Sequence, residues 1–180
     1  TVADEARNGN DATAATGALC PRLHVMNRQR DKYRRIHPFP EMVAALRAQR
    51  TSAGCRADDV DVVTLHAGIP FGEQVRSVAN SSILLAGRGG GTGLYIFLPR
   101  GGGYLSISGD DKWKPLRDLV PKAVALRHYT ARLTHHEDPS RGPQLFKGQV
   151  DANRCGYAVQ PAAVARAVED LVSAMLGGKT

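Results

Sequence analysis

Apolar positions along the chain fall into two patterns, short runs and stripes spaced three and four residues apart, and the two patterns take turns. Arg22-Leu23-His24-Val25-Met26 alternates and predicts a first strand. Residues 40–47 place Met42, Val43 and Leu46 on one side, with Pro40 in the first turn and Glu41 at the positive end, which predicts a helix. A polar, glycine-containing stretch over 51–59 follows, and then Val60-Asp61-Val62-Val63-Thr64-Leu65 has the β-branched content of a strand. Residues 70–79 carry Phe71, Val75, Val78 and Ala79 as a helical stripe, and Ile83-Leu84-Leu85-Ala86 is the continuous run of a strand covered on both faces. With Leu94-Tyr95-Ile96-Phe97-Leu98 as a short apolar helix and Tyr104-Leu105-Ser106-Ile107 as extended chain, the order is β-α-β-α-β-α-β. That order predicts an α/β fold, a Rossmann-like parallel sheet with helices on both faces and right-handed crossovers.

Beyond residue 107 the pattern loosens. A short helix is expected over 110–119 near Trp113, an edge strand over Ala123-Val124-Ala125-Leu126, and a loop over 139–157. An amphipathic helix over 161–176, with Val164, Ala167, Val168, Leu171, Val172 and Met175 on its apolar side, closes the chain at Gly177-Gly178. Residues 1–20 lack apolar periodicity and read as a flexible arm or linker, so the expected domain covers 21–180.

The stretch 82–107 organises the rest. Its first strand ends in Gly87-Arg88-Gly89-Gly90-Gly91-Thr92-Gly93, where missing side chains let a ligand approach the backbone. In open α/β sheets ligands sit at the carboxyl ends of strands, and a helix start there offers free N–H groups to an anion.

A formal charge of +7 agrees with an anionic partner. The low aromatic content, 6%, speaks against a base-stacking platform. No apolar run approaches the roughly 20 residues that span a bilayer. Residues 27–35 hold five Lys/Arg against one Asp, and guanidinium groups grip phosphate oxygens in pairs, so this loop suits a diphosphate as well as plain solvent exposure. Cys20, Cys55 and Cys155 form no zinc spacing; one disulfide with a free thiol and three buried thiols both fit. Thr134-His135-His136-Glu137-Asp138 contains ligand-type residues, but adjacent histidines on a polar loop point different ways, and it is not read as a metal site.

The order of motifs resembles the carboxyl-terminal, nucleotide-sugar-binding half of glycosyltransferase family 61, the family of plant β-1,2-xylosyltransferase and the EGF-domain O-GlcNAc transferase. Phe71-Gly72-Glu73-Gln74-Val75 matches its phenylalanine-x-x-glutamine helix, Arg88-Gly89-Gly90-Gly91-Thr92-Gly93 occupies its glycine motif, and Phe97-Leu98-Pro99-Arg100-Gly101 matches its turn. The match covers about residues 22–107. The family's motif histidine is Arg88 here, and the acidic residue of its following strand is Ser106.

The resemblance implies one half of a GT-B fold and transfer of a sugar of the xylose, arabinose or GlcNAc class, with inversion and no obligatory metal, from a nucleotide-sugar donor, UDP-linked, to a glycan or glycoprotein acceptor. It assigns Arg28, Arg35 and Arg88 to the diphosphate, the backbone of Gly89, Gly90, Gly91 and Thr92 to phosphate or sugar oxygens, and Gln74 to supporting the loop. The catalytic base is expected in an N-terminal acceptor domain, and the Golgi or ER lumen is the expected location where a membrane anchor belongs to the full-length protein, with no location assigned otherwise. Arg88 still offers a cation to phosphates, whereas Ser106 in place of the acid favours an alternative: a degenerate or basic α/β module that binds an anionic ligand or nucleic acid without turnover.

Overall fold

Strands β1 (Leu23–Asn27), β3 (Val60–Thr64), β4 (Ile83–Gly87), β5 (Gly103–Ser108) and β6 (Ala125–Thr130) build one parallel sheet in the order β3-β1-β4-β5-β6. The computed structural model describes residues 20–27, 33–64, 69–88, 90–109, 125–143, 145–150 and 154–177. Apart from Cys20, the expected arm lies outside these, as do the expected helix over 110–119 and Arg28 and Gly89.

Alternation along each strand sorts the core into two layers. Leu23, Val25, Val60, Ile83, Leu85, Leu105 and Ile107 face helices α1 (Phe39–Ser52) and α3 (Pro161–Gly177). Met26, Leu84, Ala86 and Tyr104 face helix α2 (Phe71–Ala79) and a 3₁₀ helix over Gly90–Phe97, which contribute Val78, Leu94 and Tyr95. A sheet buried on both faces needs continuous apolar strands, which is why β4 reads Ile-Leu-Leu-Ala. The fold is Rossmann-like α/β, as the alternation of elements predicts.

Several expected elements change their bounds. Helix α1 runs on to Ser52, past the polar residues of its last turns, because Arg50 is held inside the protein. Its end comes at Gly54, whose φ of +83° suits a residue without Cβ. The apolar helix after the glycine run is 3₁₀ and starts at Gly90 rather than Leu94. The last strand of the main sheet starts at Ala125 and takes in Arg127, His128 and Tyr129.

The expected loop over 139–157 is also corrected. It contains the hairpin β8 (Leu145–Phe146) and β9 (Gln149–Val150), turned by Lys147 and Gly148 at φ +52° and +77°, and strand β10 (Gly156–Ala158). Strand β10 lies between β2 (Ile36–His37) and β7 (Arg132–Thr134), parallel to the first and antiparallel to the second.

Of the two cysteine alternatives, the structure has the disulfide, Cys20–Cys55, with Cys155 buried as a free thiol. The disulfide ties the chain entering β1 to the segment beyond α1. Arg50, 2% exposed, reinforces the same junction: Nη2 donates to the Pro21 carbonyl at 3.1 Å and Nη1 to Glu169 of α3 at 3.4 Å. No helix of the described residues is long and apolar enough to cross a membrane.

Candidate functional site

The chain passes from β1 to β3 on one side and from β3 to β4 on the other, so the winding reverses between β1 and β4. Side-by-side carboxyl ends with connections leading away in opposite directions leave a crevice there. The glycine stretch leaves β4 at this point.

Arg88 continues the β4–β5 ladder by one step, its N–H donating to the Ile107 carbonyl at 2.8 Å. Gly90, Gly91 and Thr92 then form the first turn of the 3₁₀ helix. The first N–H groups of such a turn have no partner within the helix, and they stand at the carboxyl edge of the sheet.

Behind the crevice sits the small β2-β10-β7 sheet. A Cβ at Gly87 would lie 3.5 Å from the Tyr157 ring and 3.7 Å from Ile36, so strands β10 and β2 pack on the end of β4. The segment entering β2 is pinned to this sheet: Arg34 N donates to the Cys155 carbonyl, and Tyr157 N to the Arg35 carbonyl, both at 2.8 Å.

Arg34 has a φ of +63°, a left-handed conformation that costs a residue with a Cβ on the order of 1 kcal/mol. In that conformation its Nη1 lies 3.5 Å from the Arg88 carbonyl oxygen. The structure thus brings Arg34 and Arg88 together at the root of the glycine loop. Arg35 enters the neighbouring strand and is half-buried. Sequence reasoning chose Arg28, Arg35 and Arg88 and passed over Arg34; five cations in nine positions carry no mark of which one turns inward, and a positive φ at arginine has no sequence signal.

Gln74 donates its side-chain amide to the Ile69 carbonyl at 2.8 Å. The segment it ties down is the one entering α2, and α2 packs against the 3₁₀ helix whose first turn is Gly90, Gly91 and Thr92.

The histidine cluster packs at the same end. His37 Nε2 donates to the His136 carbonyl at 3.1 Å, and the His136 ring meets Tyr33 edge-on with centroids 5.0 Å apart. The His135 and His136 rings lie tilted against each other with centroids 4.4 Å apart, and His136 Nε2 lies 3.4 Å from Glu137 Oε1. These contacts fasten the turn after β7 to β2. Among the described residues, the metal-type ligand atoms that gather within 4.8 Å are those of Cys20, Cys55 and Asp59, and both sulfurs there are spent in the disulfide.

A cavity of about 280 Å³ opens at the opposite end of the sheet, between Pro21, Pro99, Arg100, Val172, Met175 and Leu176. Its walls are mostly apolar and it lies at the amino ends of β4 and β5, away from the glycine loop. Position along the strands, not cavity size, marks the carboxyl edge as the candidate site.

Fold and site together define a Rossmann-like α/β protein with a glycine loop at the switch point of its sheet and arginines at the root of that loop. No protein-family model matches the chain, and no curated protein matches it.

Proposed function

We propose that the chain is the donor-binding half of a two-domain, inverting glycosyltransferase of the GT-B type, binding a UDP-linked sugar at the glycine loop. The observation that carries this reading is the loop leaving β4 beside β1 with the Arg34 guanidinium against the Arg88 carbonyl. In transfer, the bond between the sugar C1 and the diphosphate oxygen breaks as the acceptor oxygen attacks C1 from the opposite face. The acceptor proton goes to a base on the acceptor-binding domain. The electron pair leaves with the nucleotide, and this chain's task is to stabilise that charge. Two guanidinium groups and the first N–H groups of the 3₁₀ turn are the donors suited to it. The full protein acts, in this reading, on a glycan or glycoprotein in the Golgi or ER lumen.

Thermal unfolding with UDP-sugars and with single-stranded RNA tests the proposal. A ligand at a hundred times its Kd stabilises the folded state by about 2.7 kcal/mol, a shift of roughly 5–10 °C for a chain of this length. The expected result is such a shift with a UDP-sugar and little with RNA. Salt-sensitive stabilisation by RNA alone replaces the donor site with a basic binding module.

A further inference from the structure

The cavity at the amino ends of β4 and β5 has an apolar side and a polar side. Val172, Met175 and Leu176, from the last turns of α3, line the apolar side together with Pro21, and the turn over residues 99–102 lines the other. Val172 is 6% exposed and Leu176 42%, so the apolar wall runs from the core out to the surface, where a solute can reach it.

The polar side is a tight turn. Gly102 N donates to the Pro99 carbonyl at 2.9 Å and Gly101 takes a φ of +82°, the pattern of a type II turn. That bond uses the Gly102 N–H and leaves those of Arg100 and Gly101 outside it. Arg100 is the one charged residue lining the cavity; it is exposed, and no carboxylate pairs with it among the described residues.

Charge fixes which way round a ligand lies. The carbonyl end of α3 carries partial negative charge and repels an anion, so an anionic group belongs at the turn, on the Arg100 guanidinium, with the apolar part against α3. We infer that this cavity is a second binding site, for a small amphiphile that carries one carboxylate on an unbranched apolar chain, a medium-chain fatty acid by class. A volume of about 280 Å³ is near the lower bound for ligand pockets and suits a short chain rather than a nucleotide sugar. The site lies away from the glycine loop and does not depend on the donor-site reading.

Titration of the labelled full chain with octanoate, octanol and octylammonium, followed by backbone amide shifts, tests it. Octanoate is expected to move the amides of Arg100, Gly101, Met175 and Leu176 saturably and to leave those of Gly90, Gly91 and Thr92 in place. Octanol, without the charge, is expected to bind roughly threefold more weakly, and octylammonium more weakly still. Arg100→Gln is expected to weaken octanoate by about threefold or more, the worth of an exposed charge pair, and octanol by no more than about twofold. Leu176→Ser is expected to weaken both by about fourfold, the worth of one methylene group returned to water. Both side chains are exposed, so neither substitution removes core packing. Octylammonium binding as tightly as octanoate, or equal losses of octanoate and octanol in Arg100→Gln, overturns the carboxylate assignment. Absence of a saturable shift with octanoate overturns the site itself, as do shifts at these amides that follow protein concentration without a ligand and so report a contact between copies.

Discussion

Arg34 Nη1 sits 3.5 Å from the carbonyl oxygen of Arg88, so a side chain held in a left-handed conformation reaches the root of the glycine loop from a separate small sheet. The two demands on Arg34, backbone strain and guanidinium position, can be separated. Arg34→Gly relieves the φ of +63° and removes the charge. Its melting temperature is expected to equal or exceed that of the unsubstituted chain, while UDP affinity falls roughly tenfold or more, the worth of a charge-assisted hydrogen bond. A drop in both, measured by calorimetry and thermal unfolding, makes Arg34 a structural residue only.

His24 is expected to make part of the stability depend on acid pH. It is 3% exposed on β1, and its Nε2 lies 3.3 Å from Asp61 Oδ2 without hydrogen-bond alignment. Desolvation lowers its pKa, Arg22 adds to this, and Asp61 opposes it. The unfolded chain therefore takes up a proton near the ordinary histidine value of about 6.5 that the folded chain refuses. Stability is expected to fall as pH drops below that value and to level off below the folded pKa. His24→Gln is expected to flatten this part of a melting-temperature profile between pH 8 and pH 5. An unchanged slope assigns the acid loss to other groups.

The Cys20–Cys55 bridge closes a loop of sequence separation 35. The chain-entropy estimate for such a loop is about 3–4 kcal/mol. Cys20→Ser with Cys55→Ser is expected to lower the urea midpoint accordingly. Glycine-loop chemistry at the other end of the sheet is expected to be unaffected, so UDP affinity below the new midpoint stays within about twofold.

Arg50 and Glu169 join α1 to α3 in a nearly dry setting, with Arg50 2% and Glu169 27% exposed. Arg50→Ala strands the Pro21 carbonyl and leaves the carboxylate without its partner. Because Glu169 keeps some access to water, the loss is expected at the low end for a broken buried pair, about 3 kcal/mol by denaturant unfolding. A change below about 0.5 kcal/mol, the scale of a surface substitution, contradicts the structural role assigned here.

The main sheet was legible because its strands and helices each carry enough residues to show a period. The run Ile83-Leu84-Leu85-Ala86 and the stripe through Val164, Val168 and Leu171 state their burial directly. The second sheet was not legible, since β2 and β10 have two and three residues and pair across 121 positions, Ile36 with Tyr157. Glycines were readable as a class and not in their separate roles. At Gly103 a Cβ would stand 2.6 Å from Met175 Sδ and 3.0 Å from Leu171, so this glycine gives α3 room against β5. At the site, the glycine loop and Arg88 could be placed from order alone, whereas Arg34 is set by a backbone angle that the sequence does not mark.

Donor binding at the carboxyl edge is the central claim, and a titration of the labelled chain with UDP, followed by backbone amide shifts, reads it residue by residue. The expected result is saturable movement at Arg34, Arg88, Gly90, Gly91 and Thr92, with the amides around Pro99–Gly102 at the opposite end of the sheet unmoved. Shifts confined to that opposite end, or none at saturating UDP, contradict it.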